Sequence, residues 1–118
     1  MALSDSTMVT GANAMKAVLT HAQLHTAAPN ATGTTNVSSA ARQAISWGAT
    51  TADGDFTTSA ALNFTGGAAS GPCTHVTYWN ASTSGTYGGV HALTGDTTFN
   101  AAGEYTITSL TENGSASG

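Results

Sequence analysis

The side chains that offer ionic or nucleophilic chemistry are few: four histidines, one cysteine, two basic and six acidic residues in 118. His21 and His25 stand four apart, a spacing that shares one face on a helix. Zinc needs three or four ligands, and no Cys, Asp or Glu lies near this pair. The helical pattern also ends between them, so both read as packed or solvent-facing histidines. Cys73 precedes His75 by two residues, and His75 and His91 are candidate cross-strand neighbours. A Cys/His pair can form a nucleophile, but Cys73, His75, Thr77 and Trp79 fall on one face of a strand. A core cysteine with a half-buried histidine is the better reading. Asp53 and Asp55 flank Gly54 in "TADGDFT". Calcium needs about six to eight oxygen ligands, so this reads as a turn. Asp96, Glu104 and Glu112 are scattered singly and form no glycosidase pair. Gly66-Gly67 and Gly88-Gly89 lack the lysine and spacing of a phosphate loop. No catalytic residue, metal ligand or cofactor site emerges.

Arg42 is the only arginine, and it opens the run "RQAISW". Gln43, Ile45 and Trp47 alternate as a strand face, with Arg42 at the start. Its five donors can tie loop carbonyls or one carboxylate. Asp53, Asp55 or a neighbouring subunit are the candidate partners. Arg42 is therefore read as a structural clamp near a subunit contact, with Trp47 a core anchor and Trp79 a further structural or contact residue. Tyr78, Trp79 and Tyr87 form a candidate stacking platform for a glycan. The competing reading is that strands bury about half of their aromatics.

The elements that position these residues follow from periodicity. Residues 4–20 read as an amphipathic helix capped by Ser4 or Asp5. Met8, Met15, Val18 and Leu19 fall near helical spacing, and Gly11 weakens the helix by about 1 kcal/mol against Ala. Leu3, Met8 and Met15 are its candidate contacts to a partner. Pro29 and Gly33 mark a loop after a short strand around Gln23–Thr26. Short runs follow around Ile45, Leu62, Val76, Val90, Phe99 and Ile107, rich in Thr, aromatic and β-branched residues. The expected fold is mainly β: a small antiparallel sandwich or barrel-like domain preceded by one α-helix. The expected organisation is one domain over 1–118, with the helix at 4–20, the β domain at 23–111 and a loose tail at 112–118.

Composition narrows the function classes. Charged residues make up 7% of the chain, against about 25% in ordinary soluble domains. Net charge is −4 with only two basic residues. That speaks against nucleic acid, which takes clustered Lys and Arg, and against an anionic membrane surface. A coat of Thr, Ser, Asn and Gly suits burial against other protein, because no charge must be desolvated. The lone cysteine implies no disulfide framework. The N-terminal stretch lacks a basic region and an unbroken apolar run, so synthesis in a cytoplasm is expected. Five Asn-x-Ser/Thr matches, at Asn30, Asn36, Asn63, Asn80 and Asn113, are what such a composition generates by chance.

The order of several segments is distinctive. "LHTAAP" at Leu24 to Pro29, "ARQAISW" at Ala41 to Trp47 and "LNF" at Leu62 to Phe64 come first. "CTHVTYWNASTSG" at Cys73 to Gly85, "VHAL" at Val90 to Leu93 and "TFNAAGEYTITSL" at Thr98 to Leu110 follow. In this succession the chain resembles a family of small virion proteins of tailed bacteriophages, many infecting actinobacteria. It departs from the family pattern at Ala28, where an acidic residue is usual, and at Tyr78, where phenylalanine is.

The resemblance implies a structural virion protein rather than an enzyme. Members are labelled tail-fibre or minor tail proteins, and similar small β proteins decorate capsids. This chain shows no coiled-coil or β-helical repeat. The expected role is therefore a capsid decoration protein on the outer shell. Its expected partner is the major capsid protein, bridged by a homotrimer that gains strength from multivalency. A minor tail or fibre component, or a glycan-binding module, is the alternative. No cofactor, nucleic acid or membrane partner is expected.

Overall fold

The computed structural model describes residues 4–113. Helix α1 runs Asp5–Val18, with the Ser4 side chain accepting the backbone N–H of Thr7 at 3.3 Å. Asp5 in the first turn and Lys16 in the last complement the helix dipole. The helix stops two residues short of the expected Thr20. The reason is visible at its end, where Trp47 Nε1 donates to the Leu19 carbonyl at 2.7 Å and Lys16 Nζ to the Gly48 carbonyl at 3.1 Å. The first of these satisfies a carbonyl that a helix end leaves orphaned, and the chain then turns directly into a strand.

Eight strands follow: β1 (His21–His25), β2 (Gln43–Ala44), β3 (Asp55–Thr57), β4 (Leu62–Phe64), β5 (His75–Trp79), β6 (Tyr87–Ala92), β7 (Tyr105–Ile107) and β8 (Thr111–Asn113). They form a four-stranded antiparallel sheet in the order β2-β1-β5-β6 and two antiparallel ribbons, β3-β8 and β4-β7. The fold is mainly β with one N-terminal helix, as its composition of short, threonine-rich runs implies.

Register decides what each face buries, since directly paired residues share a face. Ala22 pairs with Tyr78 and Leu24 with Val76. These four point into the main core, where they meet Phe56, Leu62, Phe64, Phe99, Ile107 and Leu110 from the ribbons and loops. The sheet and the two ribbons thus pack as a sandwich whose second layer is divided. His25, Thr77 and Trp79 lie on the opposite face and are also buried. Segment 26–42 folds back over them, so β5 is covered on both sides.

Two strands escaped the sequence reading. "DGDFT" looks like a turn and Glu112 like the start of a loose tail, yet Asp55 pairs with Asn113, Phe56 with Glu112 and Thr57 with Thr111. Strand β3 also bonds to the preceding loop, where the Gly48 and Thr51 N–H groups donate to the Thr57 and Asp55 carbonyls, and neither strand has enough apolar alternation to announce itself. Residues 114–118 of the expected tail lie outside the described residues. Conversely, Ile45 and Trp47 leave the β2 ladder, and Trp47 makes only an isolated bridge to Thr58. The Phe99 run holds no strand, only a bridge between Pro72 and Thr98.

Candidate functional site

Arg42 follows segment 26–41 and reaches across β5 to the loop between β5 and β6. Its Nη1 donates to the carbonyls of Ala81 at 3.0 Å and Ser84 at 2.7 Å. The guanidinium lies over the Trp79 ring, 4.2 Å from the centroid, in cation–π geometry. Asp53 and Asp55 are not its partners: among the described residues the one close contact between a carboxylate and a basic side chain joins Glu112 to His91. Burial without a compensating carboxylate lowers the Arg42 pKa. The side chain clamps loop carbonyls rather than an acid.

Tyr78 and Trp79 cannot serve as an exposed glycan platform, because both are buried. Trp79 lies beneath Arg42, with Tyr87 edge-on at 5.6 Å. Gly33 presses on the same two rings. Its φ is +70°, and a Cβ there would meet Tyr87 Cδ1 at 2.5 Å and Trp79 Cζ2 at 3.3 Å. Only glycine combines that backbone conformation with so close an approach.

Under this cover runs a chain of hydrogen bonds. His25 Nδ1 is 2.9 Å from the Thr35 carbonyl, and its Nε2 is 2.8 Å from Thr77 Oγ1. Trp79 Nε1 donates to the same hydroxyl at 2.8 Å. A carbonyl only accepts, so Nδ1 bears the proton. Nε2 then accepts from Thr77, and Thr77 accepts from Trp79. Every group is satisfied with His25 neutral. Burial lowers the His25 pKa, His75 and Arg42 lower it further, and the Thr35 carbonyl opposes them.

A second polar centre sits on the core side. Glu112 Oε2 accepts the Tyr78 hydroxyl at 2.5 Å and lies 2.7 Å from His91 Nδ1. Burial first, then the Glu112 contact, raises the Tyr78 pKa. The hub ties β8 to the central sheet. No sequence signal marked Glu112, since its partners are 34 and 21 positions away.

The remaining candidates do not converge. His21 and His25 lie on a strand, not a helix. His75 pairs with Ala92 while His91 pairs with Val76, so the two histidines point to opposite faces. His75 Nδ1 is 2.8 Å from its neighbour Thr74 Oγ1. Cys73 is fully buried, and burial pushes its thiol up to about 11, far from the depressed range of a nucleophile. The Asp53–Asp55 turn lies beneath α1, where Met8 rests on Gly54. Met8 is thus half-buried against its own domain, whereas Met15 is 41% exposed. Leu3 lies outside the described residues. Among the described residues no group of three His, Cys, Asp or Glu side chains is placed to hold a metal ion.

A groove of about 750 Å³ runs beside β4 and β7, lined among others by His91, Asp96, Glu104 and Tyr105. Its acids are engaged locally: Asp96 Oδ1 accepts from the Thr98 backbone and hydroxyl, and Glu104 Oε1 from Asn100. Both hold turns rather than converging on a reacting atom.

The geometry therefore defines a structural module, in which arginine, histidine, tyrosine and glutamate fasten loops and strands. A family model described as Podophage GP4 fiber I protein gp80 matches residues 3–112. The chain belongs to this family of phage fibre proteins, and it is a bacteriophage virion structural protein. No curated protein and no solved structure matches it.

Proposed function

We propose that the chain is a subunit of the fibre apparatus of a podophage virion. The family match over residues 3–112 carries this reading. The surface chemistry supplies the mechanism. Uncharged Thr, Ser, Asn and Gly side chains can be covered by a neighbouring chain without desolvating ions. Helix α1 buries only Ala12 within the domain and leaves Met15 and Val18 exposed, at 41% and 51%. These residues are the proposed contact of a homotrimer. Light scattering of purified protein checks the trimer, and the pair Met15→Asp with Val18→Asp should shift it to monomer.

Capsid decoration is the second reading, with the major capsid protein as partner. It is favoured by a sequence with neither heptads nor a repeated shaft motif. Cryo-electron microscopy of the virion separates the two. Copies confined to fibres support the first reading, and copies at lattice positions of the shell replace it with the second.

A further inference from the structure

Arg42 holds donors that no described residue uses. Both hydrogens of Nη1 are engaged by Ala81 and Ser84. Among the described residues no acceptor meets Nε or Nη2. One face of the guanidinium lies on Trp79. The Nε–Nη2 edge is thus held rigid by its neighbours while its two parallel N–H groups remain free. That edge matches carboxylate and phosphate bidentately.

The same arginine lines an open surface depression of about 380 Å³. Its walls include Gln23, Ser38, Ser39, Ser82, Thr83 and Ser84, an amide and five hydroxyls with no second charge. Ser38 is 7% exposed, and its oxygen accepts the Ala40 N–H at 3.0 Å, leaving its hydroxyl hydrogen for another acceptor. A single fixed cation ringed by hydroxyls and an amide fits an anionic group carried on a polyhydroxylated ring.

We infer that the open depression at Arg42 binds an acidic saccharide, with a sugar carboxylate or phosphate on the Nε–Nη2 edge and ring hydroxyls on the serine and threonine side chains. The site is separate from the proposed subunit contact on α1, and it holds wherever in the virion the chain sits. It also differs from an aromatic platform, because Trp79 supports the arginine from below instead of facing the sugar.

The test is a titration of the full chain followed by nitrogen-15 NMR, observing the Arg42 Nε–H signal and the amides of 38–42 and 82–84. Sodium glucuronate, glucose 6-phosphate and glucose are the probes. Charge-assisted hydrogen bonds give the acidic sugars about tenfold or more tighter binding than glucose. Response to glucuronate alone assigns a carboxylate, and response to glucose 6-phosphate alone a phosphate. Arg42→Gln should abolish the response. Because that change also releases the loop, Ser82→Asp serves beside it, since a carboxylate placed at the depression occupies the guanidinium and blocks binding in a folded chain. Equal response to glucose overturns the inference, as does no response to any probe. A shift of the Arg42 signal on dilution without ligand also overturns it, in favour of a carboxylate from a second copy.

Discussion

The Nε2 of His25 and the hydroxyl of Thr77 meet at 2.8 Å on a sheet face that is sealed from water by segment 26–42. The network is complete only when His25 is neutral, and its folded pKa lies below the ordinary 6.5. The unfolded chain therefore takes up a proton first as pH falls. Stability contributed here is full above about pH 6.5 and is lost as pH falls toward the folded pKa, with a slope of at most about 1.4 kcal/mol per pH unit for one proton. Urea unfolding between pH 7.5 and 5 should show this decline. His25→Gln, which cannot titrate, should be less stable at pH 7.5 and flatter below it. An unchanged slope in that variant would place the titration elsewhere.

The Glu112–Tyr78 contact spans the join between the ribbon β3-β8 and the sheet. Glu112→Ala strands a buried phenol and should destabilise by about 1–3 kcal/mol. Glu112→Gln, which keeps an acceptor, should lose less. Tyr78→Phe removes the stranded group, so the two changes together should be milder than their sum. A double-mutant cycle by chemical denaturation measures the coupling, and additive losses would show that the two side chains are independent.

Gly11 lies inside α1, and a Cβ there meets nothing within 4 Å. Its φ is not in the left-handed region. Gly11→Ala should stabilise by about 0.5–1 kcal/mol through helix propensity alone. For a chain of this size that raises Tm by about 2–5 °C. Circular dichroism melting reads it directly.

The helix and the strands around Leu24, Leu62, Val76, Val90 and Ile107 were legible because each carries local apolar periodicity or β-branched enrichment. Arg42 was legible as a residue that must tie either loop carbonyls or a carboxylate, because a lone arginine in a neutral chain must satisfy its donors; that it takes carbonyls and not Asp53 or Asp55 was not. Which carbonyls, and the stacking on Trp79, depend on contacts 39, 42 and 37 residues away and had no local signature. The strand faces misled for a related reason. Alternation assigns Cys73, His75, Thr77 and Trp79 to one side and predicts that the other is wet. Both sides of β5 are covered, because segment 26–42, which reads only as a polar loop, returns over the sheet. Strands β3 and β8 were invisible since their ladder joins segments more than fifty residues apart, a case of pairing overriding weak propensity.

Cys73 offers a reporter of core opening. It is fully buried beside loop 94–98, and burial with the charge of Asp96 holds its thiol at about 11. The thiolate is the reactive form, so the native protein should resist iodoacetamide at pH 7.5 and become alkylated at one site in denaturant. The same shift acts on stability with the sign opposite to that of His25. The unfolded thiol ionises from about 9.0 upward while the folded one stays protonated, so the fold weakens as pH rises above that value. Cys73→Ala should remove this alkaline component while lowering stability at neutral pH through lost packing. Rapid labelling of the native chain at pH 7.5 would mean that the core around Cys73 opens far more readily than its packing implies.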